Sequence, residues 1–235
     1  IGRETLLYPV RWDGDWPEIY NGVPTEEVDL TGFPEHEKAV GKQQFAGFCD
    51  DFSNGSISNE WLTLRNSLGE SLKVEEGCLR LWGNNVRLSD LGTPAFAGVR
   101  QAEHQETFRV ELSDETDTGD GYLGLAVIID ATHYVEIAFC KAEEGGYDVF
   151  RKQMVADVEI DRNEGHLDGL PDELRIFNEN DRKIFTASSG TQSVSFTASA
   201  INLSNEALAA LNTGDIEGIH AYGNGMLSVK NVTRK

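Results

Sequence analysis

From residue 45 onward the chain alternates apolar and polar residues in short runs. They are EWLTLRN, SLKVEEGCLRLWG, ETFRVELS, YLGLAVIID, HYVEIAFCK, YDVFRKQ, VADVEI, ELRIFNE, KIFTAS, SVSFTASAI, IEGIHAYG and MLSVKNV. A period of two puts every second side chain on the same face of a strand. In ETFRVELS that face carries Phe108, Val110 and Leu112. Clusters of Gly, Asn and Asp separate the runs and supply the turns. About a dozen strands with almost no helical period predict an all-β fold, an antiparallel β-sandwich. Glu206 to Leu211 (EALAAL) is the one segment that reads as a short helix. At 235 residues the chain is long enough to bury a large core without disulfides.

Residues 1–44 have a different texture. Glu4 to Val10 reads as a strand, and WDGDWP after it as a turn, so 1–22 form one segment. Residues 23–44 read as an extended connector, and 45–235 as the sandwich domain. Only Ile1, Gly2 and Arg3 precede the first strand, and no signal peptide or initiator methionine is present. An apolar strand needs neighbours, so the expectation is that its partners lie upstream, in a larger protein.

Acidic residues outnumber basic ones 40 to 20, for a formal charge of −20. Such a surface repels nucleic acid and anionic membrane and suits neutral ligands, sugars among them. No apolar run approaches the length of a membrane span. The three cysteines, Cys49, Cys78 and Cys140, sit in strand-like stretches. Two or three buried free thiols are expected, with one bridge plus one free thiol as the alternative. No CxxC, HxH or HxxxH pattern points to a transition metal, and no cofactor is expected. Asp50 and Asp51, ahead of the first sandwich strand, are candidates for a structural calcium. Asp114, Asp117 and Asp120 lack the EF-hand spacing and read as a hairpin turn. Sequons at Asn54, Asn202 and Asn231 permit a secreted protein, which is the expected location.

GRETLLYPVRWDGDWPEIYNG resembles the closing segment of the catalytic propeller in glycoside hydrolase family 43, where a Gly-Arg-(Glu/Gln)-Thr strand precedes an aromatic-acidic turn ending in Trp-Pro. DDFSNGSISNEWLTLRN, LRLWGNNVRLSDLGTPAFAGVRQ and TGDIEGIHAYGNG resemble the C-terminal β-sandwich of that family's β-xylosidases and α-L-arabinofuranosidases. The resemblance implies a concanavalin-like jelly roll preceded by one strand of a five-bladed propeller. It also implies that the chain is the C-terminal part of a larger, inverting hydrolase that releases arabinose or xylose from arabinoxylan. Inversion needs two carboxyl groups roughly 6.5–9.5 Å apart. By the family's motifs those carboxylates lie upstream, so no catalytic residue is assigned here. The implied partners are the catalytic propeller and an arabinoxylan or xylo-oligosaccharide.

Two substrate-binding residues follow from the resemblance. Arg3 matches the arginine that, in the xylosidases, reaches the active site, where a guanidinium can hydrogen-bond hydroxyls or a carboxylate. Asn212 to Gly218 (NTGDIEG) matches a loop that leans over the pocket and reads Phe-Thr-Gly-x-Phe-x-Gly in the family. Asn212 and Ile216 replace its two phenylalanines, which fits a wider pocket mouth or a plain interface loop. Trp61 and Trp82 read as core residues, and Trp12 and Trp16 as packing at the propeller–sandwich junction. The rival functions are an independent carbohydrate-binding module and a jelly-roll glucanase using Glu159 and Glu164. The second rival rests on VEIDRNEG, where Arg162 and the following Gly165 suggest instead a strand already turning.

Overall fold

The computed structural model describes residues 8–19, 25, 27–29, 31–32, 34–35, 38, 47–204 and 214–235. The chain divides into two compact units. One is Glu4–Gly47; the other is Phe48–Lys235 together with Ile1–Arg3.

In the smaller unit, WDGDWP is more than a turn. β1 (Val10–Asp13) and β2 (Trp16–Ile19) pair antiparallel around it, with Val10 opposite Ile19 and Trp12 opposite Pro17. Gly14 takes the left-handed φ of +60° that closes so tight a turn. Arg11 and Glu18 form an ion pair across the hairpin. Further on, Pro34, Glu35 and Lys38 are helical, so the connector is not extended throughout. A proline suits the first turn of a helix, where its missing N–H is not needed. Lys38 reaches back to Glu35 at 3.1 Å.

The larger unit is the expected sandwich of two antiparallel sheets. The strands of its first sheet are β4 (Leu62–Thr63), β7 (Ala95–Arg100), β9 (Tyr122–Asp130), β10 (His133–Lys141), β11 (Tyr147–Val155), β12 (Val158–Leu167) and β16 (Ile216–Tyr222). They lie in the order β12-β11-β10-β9-β16-β7-β4. The second sheet holds β5 (Leu72–Glu75), β6 (Cys78–Trp82), β8 (Gln105–Leu112), β13 (Glu173–Glu179), β14 (Arg182–Ser189), β15 (Gln192–Ser199) and β17 (Met226–Arg234). Their order is β15-β14-β13-β8-β17-β6-β5, and β3 (Phe48–Asp50) also pairs with β17. Among the described residues of the sandwich, helix is confined to 3-10 turns at Gly69–Ser71 and Ala200–Leu203. Glu206 to Leu211 lies outside the described residues.

The core lies between the sheets. Leu123, Leu125, Val127, Val135, Ile137 and Phe139 of the first sheet are fully buried against Phe108, Val110, Leu174, Ile176 and Phe185 of the second. Phe108, Val110 and Leu112 share the buried face, as the alternation predicts. Trp61 packs in this core beside Phe48 and Phe52, while Trp82 at the end of β6 is only half-buried. The expected strand VADVEI is instead the end of β11, a turn at Ala156–Asp157 and the start of β12. Ala156 carries the left-handed φ of 56° that the turn requires. All three cysteines are free, but none is fully buried: Cys78 and Cys140 are half-buried and Cys49 is exposed. Its strand neighbours Phe48 and Asp50 take the inward positions, and the two-residue period turns Cys49 out.

Candidate functional site

β16 is a central strand, between β9 and β7, and it begins immediately after Gly214-Asp215. The side chains from Asp215 on alternate strictly. Asp215, Glu217, Ile219 and Ala221 face the other sheet; Ile216, Gly218, His220 and Tyr222 face away from it. The strand therefore carries one buried polar group on each side.

On the inner side the centre is Lys183, which is 2% exposed. It shares the apolar phase of β14 with Phe185 and Ala187. Its Nζ donates to Asn178 Oδ1 at 2.7 Å and to Gln101 Oε1 at 2.6 Å. Asp215 Oδ2 stands 3.1 Å from the ammonium and Glu217 Oε1 3.7 Å. Asn178 Nδ2 donates to that same Glu217 oxygen at 2.7 Å. Burial pushes the Glu217 carboxyl up to about 7, although Lys183 and Asn178 pull the other way. Burial likewise raises Glu106, at the edge of the group, against the N–H donors of Glu103 and Ala102. Arg234 lies 3.8 Å from Glu106.

On the outer side His220 Nδ1 meets Glu136 Oε1 at 2.8 Å, and both residues are buried. Gly124, opposite His220 on β9, makes this fit: a Cβ there would lie 2.7 Å from Glu136 Oε1. The ring of Tyr122 meets His220 edge-on and stacks on Tyr222 at 5.0 Å. Burial raises the Tyr122 hydroxyl far above the usual phenol range and pushes Tyr134 up to about 12. Leu88, from the segment between β6 and β7, is buried on this face with Phe96, Ala126, Ile128, Tyr134 and Ile216.

The sequence-derived candidates fall as follows. Arg3, Asn212 and Thr213 lie outside the described residues. Ile216 is 9% exposed and is held within the outer cluster. Glu159 and Glu164 sit on one strand, β12, which runs on to Leu167 instead of turning at Gly165. They do not form a pair. Glu159 lies opposite Met154, on the side of Tyr134 and Arg87. Glu164, an odd number of residues further on, faces the other way, in phase with Arg162, with which it pairs at 2.9 Å beside Arg151. Arg151 leans over Phe196 of the other sheet. Two glutamates on opposite faces cannot flank one glycosidic bond, so the glucanase reading fails on geometry.

Asp50 does not suit calcium. Its Oδ2 accepts from Trp61 Nε1 at 2.9 Å and Ser58 N at 3.0 Å, and its Oδ1 from Phe52 N at 3.3 Å. A carboxylate ringed by N–H donors is a turn-former, and calcium wants an array of oxygens. Asp51 accepts from Ser53, and Asp117 from Lys141 and Gly119. Among the described residues no three His, Cys, Asp or Glu side chains converge as a metal site. Trp12 and Trp16 are 66% and 75% exposed on the hairpin.

Sequence reasoning missed both buried polar groups. The signal was a charged or amide residue in the apolar phase of a strand: Glu217 in step with Ile219, Lys183 with Phe185, Asn178 with Ile176.

Residues 49–231 match the family described as the beta xylosidase C-terminal concanavalin A-like domain. The non-reducing end α-L-arabinofuranosidase BoGH43B of Bacteroides ovatus is 27% identical over 231 residues, which cover 96% of this chain and 42% of that protein. The xylan β-1,4-xylosidase structure from Bacillus halodurans C-125 superposes with a TM-score of 0.80 at 20% identity, covering 100% of this chain and 47% of that one. The Bacteroides ovatus xyloglucan PUL GH43B structure gives 0.74 at 23% identity, covering 99% and 46%. The chain thus spans less than half the length of these relatives. With that match across nearly all of the sandwich, the chain belongs to the family of β-xylosidase C-terminal concanavalin A-like domains carried by family 43 glycoside hydrolases.

Proposed function

We propose that this chain is the C-terminal part of a secreted hemicellulose-degrading glycosidase. Its sandwich would pack on a catalytic propeller and shape the mouth of that propeller's pocket. The observation that carries this reading is the family match over residues 49–231, in relatives more than twice as long. The activities of the relatives, arabinofuranosidase and xylan xylosidase, support release of arabinose or xylose from arabinoxylan or its oligomers. The hairpin supports a covered surface as well. Val10, Trp12 and Ile19 share one face of β1–β2 and are each at least half exposed. A two-stranded hairpin is marginal by itself and is stabilised when such a face is buried.

In this reading Arg3 donates to the substrate or to a catalytic carboxylate. The start of β16 borders the pocket, and Ile216 acts through the strand position that it pins, since its side chain is sheltered. No cofactor enters. The test is hydrolysis of aryl arabinofuranosides and xylosides by this chain alone and by the chain joined to its catalytic half. The chain alone should be inactive and the joined protein active. Turnover by the chain alone, lost in Glu159→Gln or Glu164→Gln, would overturn the proposal. In the joined protein, Arg3→Ala should lower kcat/KM at least roughly tenfold, the scale of one lost charge-assisted bond. An independent sugar-binding module is the outcome if the isolated chain retains xylo-oligosaccharides on affinity electrophoresis and the joined protein gains no activity.

A further inference from the structure

Two of the first three side chains from Asp215 enter the Lys183 network, and the one between them faces the opposite way. We propose that Lys183 is a positioning residue. Its ammonium fixes the start of β16, and thereby sets where Ile216 and the residues leading into the strand stand.

Four observations carry this. First, the partners of Lys183 come from separate parts of the chain. Asp215 and Glu217 belong to the start of β16, Gln101 follows the neighbouring strand β7, and Asn178 lies on β13 of the other sheet. One charge ties both sheets to this one spot. Second, the backbone is fastened at the same place. Gln101 N donates to Asp215 O at 3.1 Å, Arg100 reaches Gly214 O at 3.5 Å, and Arg234 holds Arg100 O at 2.7 Å. Third, the alternation makes the register unforgiving. A slip of one residue would drive Ile216 toward the ammonium and send Asp215 and Glu217 out to the apolar cluster around Leu88. Fourth, stability alone does not call for the arrangement. Apolar residues of similar volume commonly fill such a space at no loss, and buried ions are best attested where they select one register.

The charges do not balance, which makes the grip sensitive to protons. The titratable groups here are Lys183 on β14, Glu106 on β8, Arg234 on β17, and Asp215 and Glu217 leading β16; β13 contributes the neutral Asn178. Among the described residues, two cations meet three carboxylates on this inner face, Arg100 lying opposite Ile216 on the outer one. Glu217 is the most deeply buried carboxylate, and its Oε2 has no hydrogen-bond partner. Deprotonation there adds an uncompensated charge at the anchor and loosens it.

The consequence for substrate rests on the reading that this strand start borders the pocket; the anchoring does not. The test is hydrogen exchange followed by mass spectrometry on the whole chain, with wild type, Lys183→Met and Lys183→Arg compared. In Lys183→Met the amides at 123–139 should speed only by the global loss of stability, and those at 215–218 by at least a further tenfold. Lys183→Arg should restore much of the protection. Acceleration of both regions in proportion would overturn the proposal, because Lys183 would then only add global stability. So would unchanged exchange at 215–218. Should Lys183→Met yield no folded protein, a pH series decides. Protection at 215–218, corrected for intrinsic rates, should fall between pH 5 and 8 in wild type and stay level in Glu217→Gln; a level wild-type series overturns the anchor. Kinetics of the joined protein separate the two readings. Local loosening in Lys183→Met with KM unchanged upholds the anchor and removes the pocket role. A raised KM in Ile216→Ala without loosening in Lys183→Met does the reverse.

Discussion

The two sides of β16 bury polar groups in opposite ways. Inside, Lys183 gathers four partners from both sheets, across distances in sequence from 5 to 82 residues. Outside, His220 meets one partner, Glu136, on the same sheet, and its Nε2 has none. The inner group ties segments of both sheets to the start of β16. The outer group is a local adjustment, fitted into room that Gly124 leaves. Equal burial thus hides unequal reach, and substitutions on the two sides should differ in size and in how far they spread.

The largest effect is expected for Lys183→Met. Removing one side of a buried ion group leaves the other uncompensated, at a cost of about 3–5 kcal/mol. Urea unfolding at pH 7 measures it; a loss below about 1 kcal/mol would put the two sides on a par. Next is Glu217→Gln, with the opposite sign. Folding raises the Glu217 pKa from 4.5 to about 7, so the folded state binds the proton more tightly. The penalty for this group sets in as pH rises above 4.5 and is complete above about 7. An amide keeps the acceptor for Asn178 and carries no charge. The variant should match wild type near pH 4 and exceed it at pH 8 by up to ~3 kcal/mol. A difference that does not grow with pH would show that Glu217 is not the group responsible.

On the outer side His220→Phe should cost about 1–3 kcal/mol, the penalty for leaving buried Glu136 without its partner. Removing both partners, in His220→Phe with Glu136→Leu, should recover part of that loss, since the contact is local. The smallest effect belongs to Asp161→Asn. Asp161 pairs with Lys152 at 2.7 Å but is half exposed, so the change should stay within ~1 kcal/mol and shrink further in salt. A larger loss would mean that the outer polar face works as a connected whole, as the inner group does.

The sandwich was legible because its core follows the two-residue period so closely. Phe108, Val110 and Leu112 could be placed on one face from sequence because nothing interrupts their alternation. Boundaries were less legible. VADVEI reads as one strand, yet Ala156 adopts a turn conformation usually left to glycine or asparagine, and composition does not reveal it. The polar groups were missed for another reason. A glutamate on a strand reads as solvent-facing by default. Only the phase of its neighbours, and partners more than 30 residues away in sequence, make Glu217 an inner residue. The glutamates of VEIDRNEG show the converse. Their closeness in sequence suggested a shared cleft, but five residues is an odd step along one strand, and the two-residue period puts them on opposite faces.

The topology of the last two strands has a consequence for how such a chain is made. β16 lies between β9 and β7, and β17 between β8 and β6, so each sheet is closed at its middle by one of the last two strands of the sandwich to be synthesised. β17 also supplies the edge on which the earliest sandwich strand, β3, pairs through Val232–Arg234. During translation neither sheet can join its two halves until these residues have left the ribosome. Until then the apolar inner faces lack the strands that complete the middle of each sheet. Nascent molecules should therefore depend on chaperones late rather than early. Premature stops within β16 or β17 should produce aggregation, and not a smaller working domain.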